Sequence, residues 1–77
     1  MSFLTRPLAL FSEDSAYAGA LEAWRDAGSR VRVRWHEFLA ADGEARRFAF
    51  AAYTAALELE AAAAIDLAAL VPADRAA

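Results

Sequence analysis

The sequence has no cysteine, a single histidine and only three glycines, which are scattered. Without cysteine the chain can form neither a disulfide nor a thiolate metal site, and one histidine excludes a Cys/His zinc site within one chain. Because the glycines do not cluster, no phosphate-binding loop is indicated. No serine or threonine stands in a pattern that pairs it with a base. These absences predict a protein that is not an enzyme and holds no metal or cofactor.

Long apolar runs are missing as well. The longest uncharged stretch, residues 48–57, is about half of what a bilayer crossing needs. The apolar run before Ser12 has four residues, which is too short for the core of a signal peptide. The lack of cysteine fits a reducing compartment. We therefore expect a cytoplasmic protein with no membrane partner.

Positive charge is scarce overall but concentrated in one segment. The net charge is −3, and all eight basic residues are arginine. Residues 28–47 carry five arginines against three acids, whereas residues 48–77 carry one arginine against four acids. An acidic chain is disfavoured as a general binder of nucleic acid, which is itself a polyanion. Nucleic acid is therefore an unlikely partner by charge.

Alanine is abundant, with 23 of 77 residues. Alanine is the best helix former and a poor filler of cores, so it favours helices that approach closely. A heptad pattern of apolar residues, interrupted by one glycine, predicts a first helix over about residues 13–41. Its positions are Tyr17, Leu21, Trp24, Gly28, Val31, Trp35 and Phe38.

A competing interpretation applies to the middle of this segment. Residues 30–35 alternate strictly between arginine and an apolar residue, which is typical of a half-buried strand. As a strand, this segment would place Arg30, Arg32 and Arg34 on one face, as in proteins that lay a β-ribbon in the DNA major groove. On a helix Arg32 turns away from the other two. The sequence leaves both interpretations open.

A second helix is predicted over about residues 44–70, after a turn at Asp42 and Gly43. Glycine is preferred where a chain leaves a helix in the left-handed conformation, and Pro72 stops the second helix. This helix carries two apolar stripes. The first comprises Phe50, Tyr53, Leu57, Glu60, Ala64, Leu67 and Val71, and the second Phe48, Ala52, Ala55, Leu59 and Ala62.

Two helices of similar length around a tight turn predict an all-α antiparallel hairpin. Folding at the turn places residue i near residue 85 minus i, so that Gly28 faces Leu57 and Arg25 lies near Glu60. Three parts follow: an apolar N-terminal arm (1–11), the hairpin domain (12–71) and a short C-terminal tail (72–77). A hairpin has one internal contact face, so we expect it to dimerise into a four-helix bundle. The predicted interface residues are Phe48, Leu59, Leu8 and Phe11.

Few residues invite a chemical interpretation. His36 and Glu37 are adjacent, so on a helix they point about 100° apart and do not meet. The acids of the second helix lack the Glu-x-x-His spacing of carboxylate-bridged metal bundles. The best-supported function is therefore a protein–protein interaction module that works as a homodimer with an unknown protein partner. The alternatives are a DNA-binding regulator that contacts phosphates through Arg30, Arg32 and Arg34, and a metal-binding bundle.

Overall fold

The computed structural model describes the backbone of residues 2–71 and the side chains of residues 15–71. It consists of two helices that pack against each other, α1 (Ser2–Ala40) and α2 (Gly43–Ala69). The prediction of an all-α helical hairpin is confirmed. Three of the four predicted helix ends lie within one residue of the observed ones. The predicted C-terminal tail lies outside the described residues.

The start of α1 differs from the prediction. α1 begins at Ser2, although the capping residues around Ser12 suggested a start near residue 13. A capping sequence opens a helix only where the preceding backbone is not already helical, and residues 8–10 are the good helix formers leucine and alanine. The side chains of Leu8 and Phe11, predicted as interface residues, lie outside the described ones. Their role and the division into arm, domain and tail stay predictions.

α1 is continuous through Gly28 and through the alternating arginine segment. The strand interpretation of residues 30–35 is therefore wrong. An isolated strand leaves its backbone groups without partners, whereas a helix satisfies them within one segment. The described residues contain no second strand to pair with. The helix also brings Val31 and Phe38 onto the side that meets α2, where both are half-buried.

The turn between the helices has only two non-helical residues, Ala41 and Asp42. The N–H of Ala41 donates to the carbonyl oxygens of Glu37 at 3.0 Å and Phe38 at 3.3 Å, which closes the last turn of α1. Asp42 is extended, and Gly43 has φ +57°, a left-handed conformation that glycine adopts without strain. The left-handed glycine predicted at this turn is confirmed. Gly43 thus reverses the chain direction and opens α2.

The two helices are in a different register from the predicted one. The ring centroids of Trp35 and Tyr53 lie 5.1 Å apart, and those of Phe38 and Phe50 lie 5.5 Å apart. In both pairs the residue numbers add up to 88 rather than 85. The shift of three residues is about 4.5 Å along α2. Packed helix axes lie about 8–10 Å apart. The first turn of α2 spans this distance, so the residues that pair with α1 begin about three positions later than predicted.

Small residues form the closest contact of the hairpin. Among the described side chains, only Ala27 and Ala56 are buried, at 7% and 6% exposure. Alanine lets helix backbones approach closely but buries little apolar area of its own. At the end near the turn, four rings form a cluster in which each contacts two others: Trp35, Phe38, Phe50 and Tyr53. The guanidinium carbon of Arg46 lies 4.4 Å from the centroid of Phe38 and covers the cluster.

Candidate interaction surface

The hairpin is a single layer of structure. Its smallest dimension is 13 Å, close to the diameter of one helix with its side chains. Stable domains bury the apolar side of one layer against a second layer. The described part of this chain has no second layer, so both broad faces of the hairpin are exposed. Eleven large apolar side chains in residues 15–71 are at least 38% exposed.

The first broad face carries most of the exposed aromatic surface. Helix geometry of about 100° per residue places Phe50 and Leu57 on the same side of the contact line as Gly28 of α1. Phe50 is 51% exposed and Leu57 38%. We call this side the aromatic face. Its exposed large apolar residues are Tyr17, Trp24, Trp35, Leu39, Phe50 and Leu57.

An open cavity of about 350 Å³ lies on the aromatic face at Gly28. Its lining residues are Trp24, Arg25, Gly28, Ser29, Arg32 and Glu60. Arg32 Nη2 donates to Ser29 Oγ at 3.1 Å, which holds the guanidinium at the outer side of α1. Because Gly28 has no side chain, the helix surface dips there. The cavity is therefore a depression between the Trp24 ring and the Arg32 stem, open to the solvent.

Gly28 also makes room for the carboxylate of Glu60. A Cβ atom at Gly28 would lie 3.1 Å from Glu60 Oε2 and 3.8 Å from Arg32 Nη1. The sequence predicted Leu57 opposite this glycine and Arg25 beside Glu60. Glu60 instead stands opposite Gly28, as the observed register requires. Arg25 Nη1 lies 3.9 Å from Glu22 Oε1, in an exposed i,i+3 pair that contributes little to stability.

We predict that Gly28→Ala stabilises the hairpin. Replacing glycine by alanine in a helix interior gains about 1 kcal/mol. The 3.1 Å contact sets the new Cβ against the far end of a flexible side chain, which can move by a few tenths of an ångström at little cost. Urea denaturation followed by circular dichroism should show a higher midpoint than for the unaltered chain. Gly19→Ala, where nothing lies within 4 Å of the added Cβ, gives the gain without any contact.

The opposite broad face is built mainly from small residues of α2. An open groove of about 360 Å³ is lined by Arg30, Arg34, Ala52, Ala55, Ala56 and Leu59. We call this side the alanine face. The predicted interface residues Phe48 and Leu59 belong to it by helix geometry, and they are 72% and 59% exposed. Their role as an interface stays a prediction.

The sequence pattern did not reveal the aromatic face as an exposed surface. Phe50, Leu57 and Trp24 all fall on predicted internal seams, so the pattern predicts that they lie in the interior. The observed contact line on α2 runs instead through Tyr53, Ala56 and Glu60, which leaves Phe50 and Leu57 on its flank. Periodicity marks an apolar stripe on a helix, but it does not fix how far the helix is rotated about its axis when it packs, and that rotation decides which edge of the stripe is buried. The one signal in the sequence is the run of alanines between the two apolar stripes of α2, which favours close approach of the two helices along that line.

The three central arginines do not form one surface. Arg30 and Arg34 line the groove of the alanine face, whereas Arg32 lines the cavity of the aromatic face. Arg34 Nη1 is also engaged with Glu37 Oε1 at 2.9 Å. The β-ribbon arrangement that favoured DNA binding is therefore ruled out for residues 28–36. His36 and Glu37 are both exposed, and within the described residues no three His, Asp or Glu side chains lie together as metal ligands would.

α2 is long and apolar enough, by length and composition, to cross a membrane. The prediction of no membrane partner was based on the length of uninterrupted apolar runs. Glu58 and Glu60 interrupt those runs, but they leave the helix as a whole apolar. Helices of soluble bundle cores meet the same criteria. The finding underlines how apolar α2 is for a helix with so little of its surface covered.

Comparison of the chain with known protein families, with curated proteins and with solved structures gave no match.

Proposed function

We propose that this chain is a non-enzymatic protein–protein interaction module that works as a homodimer, in which two hairpins form a four-helix bundle. The observation that carries the proposal is the single-layer hairpin, whose only buried described side chains are two alanines. A second copy supplies the missing layer. Because a hairpin has two broad faces, one face stays accessible to a protein partner after the other is covered.

The energetics point the same way. Full burial of one large apolar side chain contributes about 1.5–3 kcal/mol. Covering one face removes several such side chains from water on each of two copies. The cost of association in lost rigid-body freedom is on the order of 4–15 kcal/mol. The gain from one apolar face on each copy is therefore of the size required to offset that cost.

Sedimentation equilibrium of the purified chain tests the proposal. Between about 1 and 100 μM we expect a species of twice the 8.3 kDa chain mass, and a thermal midpoint that rises with protein concentration. A helical, cooperatively unfolding monomer at the highest concentration would overturn the proposal. Flotation with phosphatidylcholine vesicles is the matched test for α2, since vesicle-bound protein in place of a soluble dimer would assign the apolar surface to a membrane.

A further inference from the structure

We propose that the second copy docks on the aromatic face, with Leu57 of each copy seated in the Gly28 cavity of the other. This inference rests on the proposed homodimer and specifies its interface. It departs from the sequence-based expectation, which placed the contact at Phe48 and Leu59 on the alanine face. The two assignments involve different residues on opposite faces, so experiment can separate them.

The distribution of exposed apolar groups favours the aromatic face. Six large apolar side chains lie exposed there, and four of them are aromatic: Tyr17, Trp24, Trp35 and Phe50. The alanine face carries Phe48, Leu59 and Leu70, of which one is aromatic. Charged residues border both faces, with Arg30, Arg34 and Glu37 on the alanine face and Arg25, Arg32 and Glu60 on the aromatic face. Fully covered cores of interfaces are enriched in aromatic residues. The aromatic face fits that description better.

Charge selects how the two hairpins stack. If α1 packed on α1 of the second copy, Arg25 and Arg32 of both copies would share one contact. If α1 instead packs on α2 of the second copy, these arginines meet Glu60, the acid that α2 carries beside the Gly28 cavity on this face. Electrostatic complementarity of this kind fixes the arrangement of partners. The favoured dimer therefore has its two-fold axis parallel to the helices.

This symmetry determines which residues meet. Rotation about a two-fold axis parallel to the helices does not change the position of a residue along that axis. The pairing of residue numbers that holds between α1 and α2 of one hairpin therefore also holds between α1 of one copy and α2 of the other. Residue i of α1 then lies level with residue 88 minus i in α2 of the second copy. Leu57 of the second copy falls at the height of residue 31, between Gly28 and Arg32. Ala64 of the second copy falls level with Trp24.

The resulting contacts alternate large with small residues. Leu57 of the second copy lies level with residue 31 and enters the cavity of about 350 Å³ at its Arg32 end, next to Gly28. Trp24 is matched by an alanine of the second copy. Interdigitating layers of this kind are the requirement for a well-packed helical core. Arg32 covers the rim with its aliphatic stem while its guanidinium stays in water, held by Ser29.

A size-swap experiment tests the seat. Gly28→Leu fills the cavity, and we expect the dimer dissociation constant to rise at least tenfold. Leu57→Ala removes the side chain that occupies it, with a similar expected loss. The double variant G28L/L57A exchanges large and small across the interface, and we expect it to recover most of the lost affinity. Leucine is a better helix former than glycine, so circular dichroism should show that G28L keeps its helix content.

The matched controls lie on the alanine face. Ala55→Leu fills the groove there and is the control for Gly28→Leu. Leu59→Ala removes an exposed leucine and is the control for Leu57→Ala. We expect both to leave the dissociation constant within about threefold. A dimer that tolerates G28L and L57A but is weakened by A55L and L59A would overturn the assignment to the aromatic face. A wild-type chain that sediments as a monomer would instead overturn the proposed function itself.

Because the chain has no cysteine, cross-linking gives an independent readout. Single variants Gly28→Cys and Leu57→Cys are mixed and oxidised. Random pairing gives the mixed 28–57 disulfide dimer at about twice the amount of either disulfide of like with like, and we expect the mixed dimer to exceed that ratio clearly. A statistical mixture, or a predominance of 28–28 dimers, would overturn the α1-on-α2 arrangement.

Discussion

Ala56→Leu is expected to lower the free energy of unfolding by about 1–3 kcal/mol, the usual cost of overpacking a close contact. Ala56 is 6% exposed and sits where the two helices approach most closely. The added carbons must either push the helices apart or turn out of the contact line toward the open groove that Ala56 also lines, which restricts the rotamers of the leucine. Separation would also weaken the aromatic cluster near the turn. Urea denaturation at one fixed protein concentration measures the loss.

The control for Ala56→Leu is Ala62→Leu on the same helix. Ala62 is exposed and, at 100° per residue, points away from α1. Both substitutions change helix propensity equally, so the difference between them isolates the cost of crowding. Equal stability of the two variants would contradict the close contact at Ala56.

Phe38→Ala is expected to cost about 2 kcal/mol, roughly half of what removing a fully buried phenylalanine costs. Phe38 is half-buried and its ring centroid lies 5.5 Å from those of Trp35 and Phe50. The substitution removes both ring contacts and leaves the Arg46 guanidinium without the aromatic surface beneath it. Loss of near-ultraviolet circular dichroism from the tryptophan should accompany the fall in stability, because Trp35 loses a fixed neighbour.

Phe48→Ala provides the comparison for Phe38→Ala. Phe48 is 72% exposed and belongs to the alanine face. The same truncation there removes little packed surface, so we expect a change in stability of no more than about 0.5 kcal/mol. A larger loss from Phe48 than from Phe38 would show that the alanine face, and not the observed hairpin contact, carries the packing.

The ends of the helices were largely readable from local chemistry. Asp42 and Gly43 mark the turn because few residues other than glycine adopt φ near +57° without strain. The predicted start of α1 is wrong because the capping signal around Ser12 is a preference, which the helical backbone on its N-terminal side overrides. The alternating arginine segment was ambiguous for a similar reason. Its alternation is typical of a strand, and only the presence or absence of a second strand to pair with decides between strand and helix.

The surface residues were harder to predict than the helices. A three-residue change in register moved Glu60 to the position opposite Gly28, and rotation of α2 turned Leu57 outward. Both depend on where two helices with many small residues settle against each other. Small side chains allow several close arrangements, so the sequence constrains the choice weakly. For the same reason the sequence does not predict the open cavity at Gly28.

The sequence by itself determined that this protein is made of helices, where its chain reverses, and that its apolar surface exceeds what one hairpin covers. These properties follow from spacing, glycine conformation and composition, which act within a few residues. The tertiary structure alone decided the register, the burial of Ala27 and Ala56, and the side of the hairpin on which the tryptophans remain exposed. Those properties depend on contacts between residues about thirty positions apart, whose geometry is set by the fit of two surfaces.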